Sequence, residues 1–287
     1  MRSLLSRLLI AVAMGLAEPA LADVVVLPLL ANDLVWDAAR GRIWASVPSL
    51  GGPYANSVVA VDPATGSFGP AVSAGSEPNR LALSSDGTKL WVSVAGDTEI
   101  ARIDIATLSV DLAVPLGVDA VEGLRTARAI APLPGSNSAI AVARGASSGL
   151  THRIVIYDAA MPRAQTAQGW TTTTLAFGAN PSELLALIAH PQLGFQRLEI
   201  SPAGLSVSAT TLGAPTQGLI GAVEGGWIFT RGGSAIDIAT GVLAGAYAGM
   251  QQAHGVDSDG AAEEVSFLAN HAIVLFERAK FKPLGTI

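Results

Sequence analysis

Histidine and cysteine are the first residues to test for chemistry in this chain. His152, His190, His254 and His271 are its four histidines, and no two of them have the H-x-H or H-E-x-x-H spacing of a metal site. Cysteine is absent, which excludes a thiol nucleophile and a thiolate metal site. The residue types and spacings therefore predict neither a bound metal nor a cofactor.

Three short motifs imitate functional loops. The stretch DSDG at Asp257–Gly260 begins like a calcium loop, but Leu268 occupies the position where such a loop needs Glu. The glycine-rich stretches RGASSG at Arg144–Gly149 and RGGS at Arg231–Ser234 precede no predicted helix that could hold a phosphate. The chain repeats a four-stranded unit, which is described below. We interpret DSDG as a turn between the first and second strands of one such unit, and the two glycine-rich stretches as loops between the second and third strands of others.

The N-terminus has the pattern of a secretory signal peptide. Arg2 and Arg7 precede the apolar stretch Leu8–Ala17, and a small-x-small cleavage site ends at Ala22. The apolar stretch is too short to span a bilayer, which takes about 20 residues. The sequence therefore predicts a signal peptide over residues 1–22 and a mature secreted or periplasmic chain that begins at Asp23.

The composition limits the classes of partner. Half of the residues (50%) are apolar, which is enough for a core, and only 14% are charged. The net charge is −6 and no cluster of Lys and Arg occurs, whereas nucleic-acid binding requires a basic surface. After the signal peptide no apolar stretch is long enough to cross a membrane. We therefore expect an exported protein that does not bind nucleic acid.

Two neighbouring stretches of the chain repeat each other. NDLVWDAARGRIWASV, which begins at Asn32, aligns with NRLALSSDGTKLWVSV, which begins at Asn79, and the same offset places Trp44 on Trp91. Alternating apolar residues divide the second unit into four strands, a to d, at about residues 80–84, 89–94, 98–104 and 109–114. Such a unit cannot bury its apolar faces alone and must pack against other copies.

The pattern of strand c recurs along the whole chain. Each copy ends in a polar residue whose side chain can nucleate the following turn. These residues are Asp62, Asp104, Asp158, Ser201, Asp237 and Glu277. Four-stranded repeats of about 40–50 residues are typical of a β-propeller. The sequence therefore predicts an all-β propeller domain of six recognisable units over residues 23–287.

The first two units carry a family resemblance. EPNRLALSSDGTKLWVSV, from Glu77, and IARIDIATL, from Ile100, resemble the YVTN-type β-propeller repeat of bacterial exported and surface-layer proteins. In that repeat a Pro-Asn pair opens strand a, an Asp-Gly turn leads into an aromatic strand b, and Asp-x-Ala-Thr-Gly follows strand c. The later units match mainly in strand c. The resemblance implies the fold and export, and it implies no particular chemistry.

Ring closure leaves two alternatives. DVVVLPLL at Asp23–Leu30 and KPLGTI at Lys282–Ile287 both have the pattern of an outer d strand. Two such strands are one too many for a simple six-bladed closure, so the ring has either six blades with an extra terminal strand or seven blades in a shortened form. Ala159–Thr174 is long enough to contain a further, irregular strand.

Polar residues at the starts of the innermost strands are the candidate site. In a propeller these starts converge at one mouth of the central channel, and convergent polar groups in a concave site typically bind ligands. The residues are Asn32, Asp33, Asn79, Arg80, Arg128, Gln217 and His254. They either bind a ligand there or only satisfy backbone groups at the strand ends. Asp33 and Arg80, at equivalent places in neighbouring units, can pair with each other or with a polar ligand.

Two functions fit these observations. The first is a non-enzymatic binding or scaffold protein of the cell envelope, whose partner is a protein, an envelope component or a small polar ligand. The alternative is a lactonase-like hydrolase with its site at the channel mouth, which rests on analogy with other propellers alone. A lactonase should gather a histidine or carboxylates with an arginine at the mouth, or a metal with oxygen ligands.

Overall fold

The fold consists almost entirely of β-strands. The computed structural model describes residues 27–119, 123–146, 152–178, 180–189, 192–213, 220–251, 253, 255–269 and 272–286. The predicted signal peptide and the predicted mature start at Asp23 lie outside these ranges. Within them a single 3-10 turn, Gly52–Tyr54, interrupts the strands, and no helix is long and apolar enough to cross a membrane.

The strands form six sheets in chain order, which we number as blades 1 to 6. Blade 1 consists of β1 (Asp33–Asp37), β2 (Arg42–Val47), β3 (Ser57–Val61) and β4 (Phe68–Ser73). Blade 2 consists of β5 (Pro78–Leu83), β6 (Lys89–Val94), β7 (Glu99–Asp104) and β8 (Ser109–Pro115). Blade 3 consists of β9 (Val118–Asp119), β10 (Gly123–Pro132), β11 (Ala139–Ala146), β12 (His152–Asp158), β13 (Met161–Pro162) and β14 (Ala167–Trp170).

The second half of the chain is more regular. Blade 4 consists of β15 (Thr172–Phe177), β16 (Glu183–Ile188), β17 (Gly194–Ser201) and β18 (Gly204–Leu212). Blade 5 consists of β19 (Ile220–Glu224), β20 (Trp227–Thr230), β21 (Ser234–Asp237) and β22 (Leu243–Ala246). Blade 6 consists of β23 (Gly255–Asp259), β24 (Glu264–Ala269), β25 (Ala272–Glu277) and β26 (Lys282–Thr286).

The sheets are arranged as a six-bladed β-propeller, which confirms the predicted fold class. Five sheets have the strand order a-b-c-d with each strand antiparallel to its neighbour. Blade 3 has the same four positions with two additions: β9 forms a hairpin with the inner strand β10, and the outer position is divided between β13 and β14, which both pair with β12. The stretch from Ala159 to Thr174 therefore does contain an irregular outer strand.

Three of the polar residues that end the c strands, Asp62, Asp104 and Asp237, have the turn-forming role expected of them. Asp104 accepts hydrogen bonds at Oδ1 from the backbone N–H groups of Ala106 and Thr107, both at 2.9 Å. The N–H of Leu108 then bonds the Asp104 carbonyl at 2.9 Å and closes the turn. The same backbone closure occurs after β3, β21 and β25. The c–d turn therefore closes in the same way in four of the six blades.

The core lies between adjacent blades. One apolar cluster joins Trp44 of β2 to Leu90 and Val92 of β6, and so packs blade 1 against blade 2. The next joins Trp91 of β6 to Ile140 of β11, and so packs blade 2 against blade 3. Blade 2 therefore buries one face against blade 1 and the other against blade 3.

The N-terminal outer strand is a correction. We expected an outer strand over Asp23–Leu30, but the described part of that stretch, Leu27–Leu30, belongs to no strand. Its Leu29 N–H bonds the carbonyl of Leu27 rather than a neighbouring strand. Blade 1 already has its outer strand in β4, and β26 fills the outer position of blade 6, so each terminal blade is complete without the segment.

Among the described residues, the boundary between blade 6 and blade 1 has the least strand packing of the ring. Strands pack across every boundary from blade 1/2 to blade 5/6, but among the described residues no comparable strand packing joins blade 6 to blade 1. On β1, Leu34 and Trp36 face this boundary and are 59% and 53% exposed. On blade 6, Leu268 and Ile273 pair with each other and are 47% and 42% exposed. We call this boundary the seam.

Candidate functional site

Bulges shape the inner strands of four consecutive blades. In blades 2 to 5 the register of the inner strand shifts against its neighbour, close to the start of the strand in blades 2, 4 and 5 and in the middle of β10 in blade 3. A bulge bends its strand and re-aims a side chain, and bulges are frequent beside functional sites. The residues that fall within the shifts are Asn79, Arg80, Arg128, Thr173 and Gly221.

A central cavity of about 400 Å³ lies where these inner strands converge. Its polar lining comes from Asp33, Arg80, Thr173, Thr174 and Arg231, which belong to blades 1, 2, 4 and 5. The apolar lining comes from Leu81, Ile130 and Leu175, all buried or nearly so at the inner strands. Five blades therefore contribute to one concave site.

Asp33 has a fixed carboxylate. Its Oδ2 accepts a hydrogen bond from the backbone N–H of Leu81 in blade 2 at 2.9 Å. Its Oδ1 accepts one from the N–H of Leu34 at 3.1 Å. Because Leu81 is only 8% exposed, the carboxylate satisfies a backbone donor that water reaches poorly. Asp33 thus joins two blades while it lines the cavity.

Arg80 is held across the next blade boundary. Its backbone N–H donates to Ser93 Oγ at 2.8 Å, and its guanidinium Nε donates to the carbonyl of Arg128 in blade 3 at 3.2 Å. The structure shows no ion pair between Arg80 and Asp33, although both line the cavity. Each of these two side chains instead bonds a backbone group of the next blade.

Three other expected site residues hold blades or strands together. Asn32 Nδ2 donates to the carbonyl of Pro78 at 2.9 Å, and Ser46 Oγ donates to the carbonyl of Asn79. Arg128 directs its guanidinium to the carbonyl of Ala146 at 3.4 Å, and its neighbours Ala129 and Ile130 line the cavity. These contacts correspond to the second role considered for the strand-start residues, the satisfaction of backbone groups.

Two expected site residues are not placed. Gln217 and His254 lie outside the described residues. Where the structure describes the chain, no three His, Asp or Glu side chains come together in a group that could hold a metal ion.

Sequence reasoning missed Arg231 and the threonines. Arg231 belongs to the RGGS stretch, which does form the loop between β20 and β21 as interpreted. Strands a and b run antiparallel, so a b–c loop lies at the same end of its sheet as the start of strand a. That rule would have brought Arg231 to the mouth. Thr173 and Thr174 lie in a run of four threonines that has no polar-start signature to align with Arg80.

The loop that carries Arg231 is tightly constrained. Gly233 has φ of +79°, and an added Cβ would lie 2.8 Å from the carbonyl oxygen of Tyr247. The carbonyl of Arg231 itself accepts a hydrogen bond from the N–H of Ala253, in the connection between blades 5 and 6, at 3.2 Å. The backbone of Arg231 is therefore anchored, while its side chain is exposed toward the cavity.

The described lining carries a positive excess. It has one carboxylate, Asp33, and two guanidinium groups, Arg80 and Arg231. The hydroxyl of Thr173 donates a long hydrogen bond of 3.4 Å to the carbonyl of Leu187. The two lone pairs of this hydroxyl can still accept hydrogen bonds. The arrangement can hold a small polar molecule, which would contact both apolar side chains and charged hydrogen-bond donors.

Comparison with solved structures supports the fold alone. The chain is similar to Kuenenia stuttgartiensis hydrazine synthase (TM-score 0.67, 15% identity, covering 91% of this chain and 80% of that one). It is also similar to a functionally unknown protein from Desulfotomaculum acetoxidans (TM-score 0.66, 13% identity, 92% and 87% covered). A third similar structure is U3-55K (TM-score 0.62, 11% identity, 90% and 82% covered). Propellers of such different proteins share architecture and not a site.

Sequence comparison shows no family. No family model matches the chain, and no curated protein matches it. The YVTN-type pattern of the first two units therefore remains a resemblance.

Proposed function

We propose that this protein is an exported, non-enzymatic binding protein that holds a small polar ligand in the central cavity of its propeller. The observation that carries the proposal is the convergence of Asp33, Arg80, Thr173 and Arg231 on one cavity of about 400 Å³. Ligand pockets typically have volumes of roughly 300–1,000 Å³ and combine apolar walls with a few placed polar groups. The cavity has both properties.

The engagement of the cavity charges favours binding over hydrolysis. A general base needs an oxygen or nitrogen that is available to take a proton from water or substrate. Both oxygens of Asp33 already accept backbone hydrogen bonds, and Asp33 is the one carboxylate of the described lining. Such a site is pre-organised to orient a ligand, and its described part contains no paired acid and base of the kind that a lactonase would use.

Export rests on the N-terminal sequence. The basic start, the apolar stretch Leu8–Ala17 and the small residues before Asp23 direct secretion. A protein so exported meets envelope components and small solutes, which are the partners that suit an acidic chain with a polar cavity. Intact-mass measurement of material collected after export should give a chain that starts at Asp23, and a mass that still includes Met1 would contradict export with cleavage.

A cavity-filling variant tests the ligand site. In Thr173→Phe an aromatic ring enters the cavity, whereas Thr210→Phe, on the exposed outer strand β18, adds the same ring away from it. Thermal-shift screening of the mature chain should use a panel of sugars, amino acids, small carboxylates and phosphate. We expect at least one compound to raise the melting temperature of the wild type and of Thr210→Phe, and to have no effect on Thr173→Phe.

The same panel includes lactones, with acid release followed at constant pH. No hydrolysis is expected. Turnover of a lactone that Thr173→Phe abolishes would overturn the non-enzymatic function and favour the hydrolase. If no compound stabilises the wild type, or if all stabilise both variants equally, the cavity is not a ligand site.

A further inference from the structure

The charged groups of the cavity differ in how much of their hydrogen-bonding capacity is already used. Both oxygens of Asp33 are occupied by the backbone N–H groups of Leu34 and Leu81. Arg80 uses its Nε on the Arg128 carbonyl, which leaves its two terminal nitrogens. Arg231 makes no side-chain hydrogen bond or ion pair with any described residue. The acceptor of the site is therefore engaged, while most of its charged donors are open.

The open donors are charged and flank the axis. In a six-bladed ring, blades 2 and 5 lie opposite each other, so Arg80 of β5 and the Arg231 loop of blade 5 approach the cavity from opposite sides. The hydroxyl of Thr174, in blade 4, also lines the cavity and can donate. A ligand that fills these positions must offer acceptors, and a negative charge would balance the positive excess.

We propose that the ligand of the cavity is a small oxyanion, a carboxylate or a phosphate, held between Arg80 and Arg231. This deepens the proposed function and depends on it. A guanidinium presents its donors as a planar fork that matches two oxygens of a carboxylate or phosphate. The Nε bond of Arg80 fixes the orientation of that fork before the ligand arrives, which lowers the entropy cost of binding.

The same geometry assigns a role to Asp33. Its carboxylate stays near the two arginines without pairing with Arg80 (the structure has no ion pair between these two side chains), and it repels any second acidic group that approaches blade 1. The oxyanion should therefore sit toward the Arg80 and Arg231 sides, with the less charged part of the ligand toward Leu81 and Ile130. Asp33 is a positioning residue in this arrangement.

Titration calorimetry on the mature chain tests the ligand class. The probes are succinate and inorganic phosphate, with erythritol as a neutral polyol of similar size, all at one ionic strength. Arg80→Gln and Arg231→Gln each remove one fork. Arg153→Gln is the matched control, because Arg153 is an exposed arginine of β12 that does not line the cavity. Melting temperatures of the unliganded variants establish that each one folds.

The expected result is binding of at least one anion and no binding of erythritol. Loss of a charge-assisted hydrogen-bond pair should weaken binding of that anion by roughly tenfold or more in Arg80→Gln and in Arg231→Gln. The affinity of Arg153→Gln for the anion should equal that of the wild type. Arg231→Lys keeps the charge and loses the fork, so it should bind more weakly than the wild type. The stronger probe distinguishes a carboxylate ligand from a phosphate ligand.

The outcomes separate this inference from the proposed function. If neither anion binds, or if Arg153→Gln weakens binding as much as the cavity variants do, the oxyanion is excluded as a specific ligand. A neutral compound could instead bind to the wild type and to both arginine variants with equal affinity, and fail to bind to Thr173→Phe. The cavity would then remain a ligand site, and only the anionic class of the ligand would be wrong. Full retention of affinity in Arg231→Lys would reduce the role of Arg231 to simple charge attraction and contradict the fork.

Discussion

Two side chains at the centre of this propeller, those of Asp33 and Arg80, both line the cavity and connect neighbouring blades. Asp33 lines the cavity and also binds the backbone N–H of Leu81 in the next blade. Arg80 lines the cavity and binds the carbonyl of Arg128 in the blade after that. The inner strands of different blades share no ladder hydrogen bonds, so such side-chain bridges fix how far apart they sit. The cavity is consequently shaped by the residues that would contact its ligand.

Away from the cavity, Asp86 gives a test of the a–b turn in blade 2. Its carboxylate accepts hydrogen bonds from Ser84 Oγ at 2.6 Å and from the Thr88 N–H at 3.0 Å, and these contacts lower its pKa from 3.8 to about 2. Because the folded pKa is the lower one, the ionised carboxylate stabilises the fold above about pH 4. That stabilisation is lost as the pH falls toward 2.

We therefore expect Asp86→Asn to melt below the wild type at pH 5 and the two melting curves to converge between pH 4 and pH 2. Thermal unfolding followed by circular dichroism at half-unit steps of pH measures the difference. Ser84→Ala, which removes the largest cause of the pKa shift, should move the convergence to higher pH. A difference between wild type and Asp86→Asn that stays constant down to pH 2 would contradict this account of the turn.

The positions of cavity residues were predictable only where two units align. Asn32-Asp33 aligns with Asn79-Arg80, and the structure places Asp33 and Arg80 on one cavity. Arg231 and Thr173 belong to units whose inner strands share no such signature, and their positions depend on a loop and on a bulge. Spacing along one chain carries no information about which blades face each other, so those residues had to come from the structure.

At the level of elements, the same backbone positions recur with different residues. The residue before strand c has positive φ in blades 1 and 2, where it is Asn56 (58°) and Thr98 (55°). Asn tolerates this left-handed conformation because its short amide can bond locally, whereas a β-branched residue adopts it only with strain. The backbone of Thr98 is therefore strained, whereas Asn56 adopts the equivalent conformation in blade 1 with less strain.

Thr98→Asn should therefore stabilise the protein. Relief of the strain is on the order of 1 kcal/mol, which in a chain of this size raises the melting temperature by roughly 2–4 °C. Thr210→Asn, on an exposed outer strand where φ is not positive, controls for the exchange of residue type and should give no increase. A Thr98→Asn protein that melts at or below the wild-type temperature would show that the loop does not hold this residue under strain.

The elements themselves were largely predictable, and the exceptions have physical causes. Strand b of the second unit was expected at residues 89–94, which is β6 (Lys89–Val94), because alternation and an Asp-Gly turn define both of its ends. The stretch Leu27–Leu30 was expected in an outer strand and forms none. Its apolar residues have the strand pattern, but β4 and β26 already occupy the outer positions of blades 1 and 6. An apolar pattern can be recognised in a single segment, but whether the segment finds a strand to pair with depends on the other strands of the ring.

The whole molecule is a ring whose boundaries are unequal. Five boundaries bury apolar side chains from both blades, whereas at the seam Leu34 and Trp36 of β1 stay largely exposed. Further from the axis on the same face of blade 1, Ala45 and Val59 are buried, so the large exposed apolar side chains of this face, Leu34 and Trp36, lie on the innermost strand. A tryptophan with half of its surface exposed is unusual on a sheet whose middle strands bury both faces.

Tryptophan fluorescence can measure whether the seam is open in solution. Among the five tryptophans of the chain, Trp36 is 53% exposed, while Trp44 and Trp91 are 2% and 0% exposed and the other two are half-buried. Acrylamide should therefore quench Trp36 most strongly. We expect Trp36→Phe to lower the quenching constant of the protein, and Trp91→Phe to raise it by removing a protected emitter.

Trp91→Phe should also lower the melting temperature, because it removes volume from a fully buried position, whereas Trp36→Phe should change it little. If Trp36→Phe instead leaves quenching unchanged and destabilises the fold, blades 6 and 1 pack over Trp36 in solution and the seam is closed.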